Sequence, residues 1–434
     1  MTTRLHRGAI LHFVDDPATG AEQATRYFAK GEMLIRDGHV AAVGHVGTVG
    51  VGTDDAEVIE HPNALLVPGF IDTHIHYPQM DIVGAHGEQL LEWLERYVFP
   101  TEAQFSDKEH GRSVAEAFCT ELLRNGTTTA LVFATVHPES VDAFFEVAEQ
   151  RNLRMISGKV LMDRNAPDGL RDTAESGYDD SKALIERWHN RGRLRYAVTP
   201  RFAPTSTPEQ LGLAGQLLRE YPDLYMHTHM SENANEIAWV DELFPDHDNY
   251  LHAYDDHGLV GRRSVFAHCI HLTDDEWQCM SERGANVASC PTSNLFLGSG
   301  LFPLRKAQAH KVCVGLGTDI GAGTSFSLLE TMDEAYKVQQ LQGVSLSPLE
   351  SFYLATLGGA RALDLDDLIG NFETGKEADF QVLDLGGTPL MKRRLSGCDD
   401  LEELLFVLAT LGDDRAVRET WIMGERKHER EQQF

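Results

Sequence analysis

The sequence predicts an α/β protein, a (β/α)8 TIM-like barrel with a small β-sandwich domain built from both chain ends. Two observations lead to this prediction. Eight short apolar segments, most of them rich in β-branched or aromatic residues, alternate with helical segments through the middle of the chain. Further strand-like segments occur at both ends, outside this alternation. Eight strands that alternate with helices favour a closed parallel barrel.

The eight predicted barrel strands lie at residues 66–73, 127–133, 154–161, 194–199, 224–228, 264–267, 285–289 and 312–317. Predicted helices lie between them, for example at residues 112–124, 138–150, 181–191, 208–220 and 274–283. The chain ends differ, because their short strands are broken by turns. We therefore expect residues 66–370 to form the barrel, and residues 1–65 and 371–434 to form the two parts of the β-sandwich domain.

Composition disfavours two classes of partner. The chain has 434 residues and a formal net charge of −29, and so acidic a surface repels phosphate backbones and anionic lipids. No segment approaches the roughly 18 uninterrupted apolar residues of a membrane helix. The first residues lack the apolar core of a secretory signal. We therefore expect a cytoplasmic protein with neither nucleic acid nor membrane as a partner.

Two histidines, His74 and His76, follow the first predicted strand. Side chains two residues apart in a strand share a face, so these imidazoles are expected to point together. Active sites of such barrels lie at the carboxyl ends of the strands. An isolated pair of this kind is weak support for a metal site, since the chain contains 20 histidines.

Three later strand ends also carry groups that bind metals. His229 follows the fifth strand, His268 follows the sixth and Asp319 follows the eighth. Imidazole and carboxylate groups are good ligands for a divalent ion such as zinc. Any one of these histidines alone is explained as well by a hydrogen-bonded residue of the core or rim. Four strand ends that carry such groups together favour a metal site.

Longer motifs surround these residues. They are Pro68-Gly69-Phe70-Ile71-Asp72-Thr73-His74-Ile75-His76, His229 with Glu232, His268, Gly317-Thr318-Asp319, and the terminal Gly375-Lys376-Glu377-Ala378-Asp379. As a set they resemble the amidohydrolase superfamily, and the last string is similar to the C-terminal β-domain of its members. The resemblance covers nearly the whole chain and implies a metal-dependent hydrolase.

The resemblance also bears on the number of metal ions. Binuclear members of the superfamily carry a carboxylated lysine at the end of the fourth strand, where this chain has Thr199-Pro200-Arg201-Phe202. Lys159 lies on the preceding strand and is expected to be structural or to face the surface. The resemblance therefore implies the mononuclear branch, with one zinc ion per subunit, or iron in its place. Its ligands would be His74, His76, His229 and Asp319.

A catalytic scheme follows from that branch. Zinc lowers the pKa of a bound water toward about 7, so that hydroxide exists at neutral pH. Asp319 and His268 are expected to orient this water. Glu232 is expected to carry a proton from the water to the substrate and then to the leaving amine. The alternative for Glu232 is a rim carboxylate, or a cap for a predicted helix at residues 233–244.

A second type of zinc deaminase has the pattern His-x-Glu followed by Pro-Cys-x-x-Cys. His86-Gly87-Glu88 matches the first half of the pattern. The second half occurs nowhere in the sequence, and Cys290-Pro291 has the reverse order. We therefore exclude this type of site.

A narrower set of motifs bears on the substrate. They are Tyr77-Pro78-Gln79, Gly87-Glu88-Gln89-Leu90-Leu91-Glu92-Trp93-Leu94, Phe99-Pro100-Thr101-Glu102, Thr199-Pro200-Arg201-Phe202, His229-Met230-Ser231-Glu232-Asn233, the string from Pro291 to Gly300, and the string from Gly317 to Gly323. As a set they resemble the guanine deaminases, a family within the superfamily. This resemblance implies hydrolysis of guanine to xanthine and ammonia, and it suggests a homodimer.

A purine pocket needs an aromatic wall and a few convergent polar groups. Phe202 and Trp93 are expected to stack on the purine. Arg201 is expected to donate to the O6 and N7 edge, and Gln79 to pair with a ring edge. The groups that complete the expected substrate site are His229, Glu232 and His268.

Alternatives to this assignment are open at the level of sequence. Trp93 is explained as well by a core position, Arg201 by a pair with a carboxylate, and Gln79 by a hydrogen bond within a loop. The enzyme alternatives are a deaminase or chlorohydrolase that acts on a triazine, a pterin or a modified nucleobase. A non-catalytic scaffold of the same fold is disfavoured, because His74, His76, His229, Glu232, His268 and Asp319 are all present.

Overall fold

The structure is a computed structural model that describes residues 3–49, 56–86 and 89–431. The chain forms two compact units. Unit 1 comprises Met1–Asp72, Thr120–Thr129 and Ser327–Phe434, and unit 2 comprises Thr73–Cys119 and Ala130–Phe326. The domain boundaries at residues 66 and 371 stay predictions. No helix in the described ranges is long and apolar enough to cross a membrane.

The barrel strands form one sheet in the spatial order β13-β12-β11-β10-β9-β7-β6-β5, and β8 pairs with β9. They are β5 (Phe70–His76), β6 (Thr127–Phe133), β7 (Arg154–Gly158), β8 (Val160–Leu161), β9 (Arg195–Pro200), β10 (Tyr225–Met230), β11 (Ser264–His268), β12 (Asn286–Ser289) and β13 (Cys313–Leu316). Among these strands β9, β10, β11, β12 and β13 pair in parallel, each with the next. The predicted barrel is confirmed.

The two ends of the barrel sheet meet through the segment after β13. Asp319 N donates to His74 O at 2.9 Å, and His76 N donates to Ile320 O at 2.9 Å. The hydroxyl of Thr73 donates to Leu316 O at 2.9 Å. These bonds nearly close the barrel and set Asp319 beside the two histidines of β5.

The first barrel strand begins later than predicted. Residues 57–68 form β4 (Glu57–Pro68), which belongs to the sheet of unit 1, and the barrel strand starts at Phe70. The prediction of one strand at residues 66–73 merged two strands, because both are apolar and only Gly69 separates them. A side chain at Gly69 would meet Thr128, whose Oγ1 lies 2.1 Å from the position of a Cβ atom.

Helices alternate with the barrel strands. The α-helices of six or more residues up to β13 are Lys108–Arg124, Pro138–Gln150, Ala174–Trp188, Pro208–Glu220, Ala234–Leu243, Asp274–Arg283, Pro291–Phe296 and Leu304–Ala309. Shorter helices, including Leu90–Trp93 and Phe99–Glu102, lie between β5 and β6. A π-helical turn, Leu94–Val98, joins those two. The helix predicted at residues 181–191 begins earlier, at Ala174, where Thr173 and Ser176 form a capping box.

Unit 1 contains a mixed sheet in the order β16-β15-β14-β4-β1-β2-β3. Its strands are β1 (Thr3–Phe13), β2 (Thr25–Arg36), β3 (His39–His45), β4 (Glu57–Pro68), β14 (Phe380–Asp384), β15 (Val417–Ile422) and β16 (Glu425–Glu429). Phe380 and Trp421 stack at 5.4 Å in its core. Strands from both ends of the described chain thus build one small β-domain outside the barrel sheet, as predicted. Helices Leu328–Leu341, Pro348–Tyr353, Pro389–Leu395 and Leu401–Leu411 complete the unit.

Candidate functional site

Four side chains converge at one end of the barrel. His74 and His76 come from β5, His229 comes from β10, and Asp319 follows β13. One ligand atom from each lies within 4.8 Å of the others. His76 Nε2 is 3.2 Å from His74 Nε2 and 3.1 Å from His229 Nε2. Asp319 Oδ1 is 3.1 Å from His74 Nε2 and 3.4 Å from His76 Nε2.

The opposite nitrogen of each imidazole is held by a neighbour. His229 Nδ1 lies 2.7 Å from the carbonyl oxygen of Arg201. A carbonyl only accepts, so Nδ1 carries the proton and Nε2 presents a lone pair to the cluster. His74 Nδ1 lies 2.8 Å from His227 Nε2. His76 Nδ1 lies 3.1 Å from Gln79 Nε2. Such partners orient the ligands of metal sites.

Burial keeps these imidazoles neutral. It lowers the pKa of His76 to about 3 and also lowers the pKa values of His74 and His229. Burial opposes the charge of Asp319, but His74 and His76 outweigh it and hold the pKa of Asp319 well below its ordinary value. Three neutral imidazoles and one carboxylate, crowded with their donor atoms facing one another, fit a divalent cation.

Glu232 and His268 lie beside this cluster. Glu232 Oε2 is 3.4 Å from His268 Nε2, and the Ser299 hydroxyl donates to Glu232 Oε1 at 3.0 Å. Burial, with a smaller effect of the Asp319 charge, raises the pKa of Glu232 to about 8, although the Ser299 bond acts in the opposite direction. The His268 ring is held from behind, because its Nδ1 lies 2.8 Å from Asn294 Oδ1.

The backbone is bent where the strands end at this site. His268 has φ 73° and Asp319 has φ 52°, in the left-handed region that L-residues rarely adopt. Ser231, one residue before Glu232, has φ 52°. Strained residues of this kind cluster at functional sites, where the surrounding structure holds them in place.

A helix cap was the alternative role for Glu232, but the carboxylate that caps this helix belongs to Glu236. The helix is Ala234–Leu243, and its capping box pairs Asn233 with Glu236. Glu236 Oε2 accepts from Glu232 N at 2.9 Å and from Asn233 N at 3.1 Å, and Tyr250 donates to Glu236 Oε1 at 2.6 Å. Burial raises the pKa of Glu236 to about 7. The side chain of Glu232 is thereby left to face the cavity.

A cavity opens at the cluster. The residues that line it are His76, Gln79, Leu90, Trp93, Leu94, Arg201, Phe202, His229, Glu232, Glu236, His268, Leu297, Asp319 and Ala322. All the substrate residues expected from sequence are in this set. Trp93 lines the cavity and also belongs to the core cluster that contains Phe133, so its core position is confirmed and its stacking on a purine stays a prediction. Gly87 and Glu88 lie outside the described residues.

Arg201 lines the cavity and also pairs with a carboxylate, Glu102, which the sequence did not single out; its contact with a purine stays a prediction. Its Nη1 donates to Glu102 Oε2 at 2.7 Å, and Gln79 Nε2 donates to Glu102 Oε1 at 2.9 Å. Glu102 and the side chain of Ser299 were missed, although each lies within a quoted motif. An alignment of related sequences is the signal that would single them out, since their partners are distant in the chain.

Lys159 and Cys290 are both buried near the barrel strand ends. Lys159 is buried and forms an ion pair with Asp172, so it is structural and does not face the surface. Cys290 is buried, and its Sγ lies within 4.8 Å of ligand atoms of His268 and Asp319.

Comparison with known proteins is consistent with this geometry. Residues 65–427 match the sequence profile described as the Amidohydrolase family. The guanine deaminase of Escherichia coli (strain K12) is 57% identical over 419 residues, which cover 96% of this chain and 95% of that protein. A solved structure of E. coli guanine deaminase has a TM-score of 0.95 and 54% identity, covering 99% of this chain and 100% of that one.

A further solved structure shows a ligand. The guanine deaminase from C. acetobutylicum, with guanine bound in its active site, has a TM-score of 0.90 and 28% identity. The match covers 98% of this chain and 100% of that one.

Proposed function

This chain belongs to the amidohydrolase family, and we propose that it hydrolyses guanine to xanthine and ammonia. One observation carries the proposal: a single cavity is lined by part of a metal-ligand cluster, by the carboxylate of Glu232 and by the donors of Gln79 and Arg201. The matched proteins that act on guanine support the same substrate.

The proposed metal is one zinc ion per subunit, with iron as an acceptable substitute because histidine–carboxylate sites bind both. Its ligands would be His74, His76, His229 and Asp319. When bound, the ion would supply the Lewis acidity that activates water for attack on the ring. Lys159 forms an ion pair with Asp172. This pairing supports a site for one ion, without a lysine that bridges two.

The chain's own residues would then move the protons. His268 and Asp319 orient the attacking water toward C2 of guanine. Glu232 accepts a proton as the new C–O bond forms and passes it to the ring. Glu232 then takes the second proton from the new hydroxyl group at C2 and delivers it to the exocyclic amine. The C2–N bond breaks, ammonia leaves, and the C2 carbonyl of xanthine forms. Glu232 suits this role because its buried carboxylate lines the cavity beside the ligand cluster and is not itself one of the proposed ligands.

Recognition of the purine rests on the cavity walls. Phe202 and Trp93 would stack on the flat purine ring, which their position in the cavity lining and their near-complete burial support. Arg201 donates to O6 and N7, and Gln79 pairs with a ring edge. Adenine presents an amino group in place of O6, so a site built around donors from Arg201 rejects it.

An ammonia assay with guanine tests the proposal. We expect xanthine and ammonia in equal amounts, loss of turnover after metal removal, and recovery with zinc. A substrate panel of guanine, a triazine and a pterin separates this activity from related ones. Fast turnover of another ring beside negligible turnover of guanine would contradict the substrate assignment. Metal-free protein without any hydrolase activity would favour a scaffold.

We also propose that the protein is a cytoplasmic homodimer. The acidic net charge of −29 supports a protein without nucleic-acid or membrane partners. Sedimentation analysis of the purified protein tests the dimer, and a single species at the monomer mass of 48.3 kDa would contradict it.

A further inference from the structure

Glu102 is a fully buried carboxylate that joins two side chains of the cavity wall. Its Oε1 accepts from Gln79 Nε2 at 2.9 Å, and its Oε2 accepts from Arg201 Nη1 at 2.7 Å. Glu102 is itself not one of the described residues that line the cavity, whereas Gln79 and Arg201 are. Any effect of Glu102 on a ligand therefore passes through these two partners.

One turn of helix holds the Arg201 guanidinium from two sides. Phe99 and Glu102 are three residues apart in the helix Phe99–Glu102 and therefore share a face. The guanidinium carbon of Arg201 lies 5.6 Å from the centre of the Phe99 ring. Together the ring and the carboxylate restrict a long side chain before any ligand binds. Such preorganisation removes part of the ordering cost of binding.

The pair also removes a net charge from the cavity wall. The side chains of Arg201 and Glu102 are 3% and 0% exposed, and a buried arginine without a carboxylate would be an unpaired charge. Paired, the two groups offer N–H donors with no net positive charge, which suits an uncharged carbonyl acceptor. The same carboxylate orients Gln79, because its amide nitrogen faces Glu102 while its oxygen lies 3.3 Å from Gly321 N.

We propose that Glu102 is a positioning residue that sets selectivity for purines with a carbonyl oxygen at C6. It does so by holding Arg201 where the guanidinium meets that oxygen, with Gln79 fixed beside it. This inference rests on the proposed function and deepens it, because it names the device that distinguishes 6-oxopurines from other purines.

The test compares two substrates in metal-loaded wild type and E102Q. Guanine has the C6 oxygen, whereas 2-aminopurine keeps the C2 amine and lacks that oxygen. In E102Q we expect kcat/KM for guanine to fall roughly 10- to 100-fold, the range for loss of a charge-assisted hydrogen bond. The value for 2-aminopurine, or its inhibition constant if turnover is too slow, should change less than about 3-fold. Equal losses for both purines, or no loss, would overturn the proposal.

Two further variants separate positioning from a general structural effect. In an R201A background, E102Q should change guanine kcat/KM less than about 3-fold, because Arg201, the partner that meets the C6 oxygen, is gone and only Gln79 is left for Glu102 to position. Additive losses would overturn the proposal. The matched control is E276Q, since Glu276 is a buried carboxylate that caps the helix Asp274–Arg283 and does not line the cavity in the described structure. E276Q should lower thermal stability and leave unchanged the ratio of kcat/KM for guanine to kcat/KM for 2-aminopurine.

The outcomes distinguish this inference from the function on which it rests. Wild type that releases no ammonia from guanine contradicts the proposed function. If the wild type is active on guanine and E102Q leaves the ratio of kcat/KM for the two purines unchanged, only the proposed role of Glu102 is contradicted.

Discussion

The carboxylate of Glu232 lies 3.4 Å from Nε2 of His268, with the Ser299 hydroxyl on its other oxygen. This arrangement holds a buried acid at the edge of the metal-ligand cluster without making it a member of the cluster. A group in that position can move protons while the ligands stay in place.

Glu232→Gln should keep the metal and lose most of the rate. The amide preserves the shape of the side chain but cannot accept and release a proton, and general acid–base catalysis contributes about 10²- to 10⁴-fold. The measurements are kcat for guanine and metal content by elemental analysis. Loss of the metal together with the activity would instead make Glu232 a structural residue of the metal site.

Arg201→Ala should weaken the use of guanine and leave metal content unchanged. The variant removes the donors proposed for O6 and N7, and it also leaves Glu102 as a buried carboxylate without its cation. We expect kcat/KM to fall at least roughly 10-fold, as for loss of a hydrogen bond to a charged group. Unchanged kinetics would show that Arg201 serves only the ion pair.

The sheet of unit 1 should lose stability in acid through its buried histidines. His6 Nδ1 lies 2.9 Å from His61 Nε2. Burial lowers the pKa of His6 to about 3 and that of His61 to about 4, against an unfolded value of 6.5. Because both folded-state values are depressed, the stability from these groups is present above pH 6.5. It is lost as the pH falls from there toward 4 and then 3.

The measurement is the free energy of unfolding of the wild type and of a His6→Gln, His61→Gln double variant at pH 7 and pH 5. We expect the wild type to lose more stability over this interval, since the variant has two fewer buried groups to protonate on unfolding. Parallel losses in the two proteins would show that other groups dominate acid unfolding.

Gly69→Ala should destabilise the protein by about 1–3 kcal/mol, the usual cost of overpacking. The added Cβ atom would lie 2.1 Å from Thr128 Oγ1 and 2.3 Å from Thr128 Cγ2, within the same unit. Urea unfolding gives the free energy. Gly169→Ala is the matched control, because its Cβ atom would have no neighbour within 4 Å. Equal stability of the two variants would contradict the close approach at Gly69.

Local patterns explain why much of the fold could be predicted. The strand predicted at residues 127–133 and the helices predicted at 138–150, 208–220 and 274–283 have the same bounds in the structure. Each is a short apolar segment or an amphipathic segment with clear ends. The boundary at Gly69 was wrong because two strands of different sheets follow one another there. The apolar composition of a segment does not predict which sheet its strand joins.

The candidate metal ligands could be proposed from the sequence because each follows a predicted barrel strand, and that position predicts where the residue lies in the fold. A histidine or aspartate at the end of a barrel strand lies at the barrel mouth wherever the strand falls in the barrel, as His74, His229 and Asp319 do. The alternation of strands and helices, the barrel and the separate sheet follow from the same local patterns, since each element buries its own apolar face.

Only tertiary structure decided which side chains meet. Glu102 is 99 residues from Arg201, and Ser299 is 67 residues from Glu232. No periodicity relates residues so far apart, because their contact depends on the packing of several intervening elements. The pKa shifts of Glu232 and Asp319 also depend on tertiary structure. Burial and nearby side chains cause these shifts, and an unfolded chain has neither.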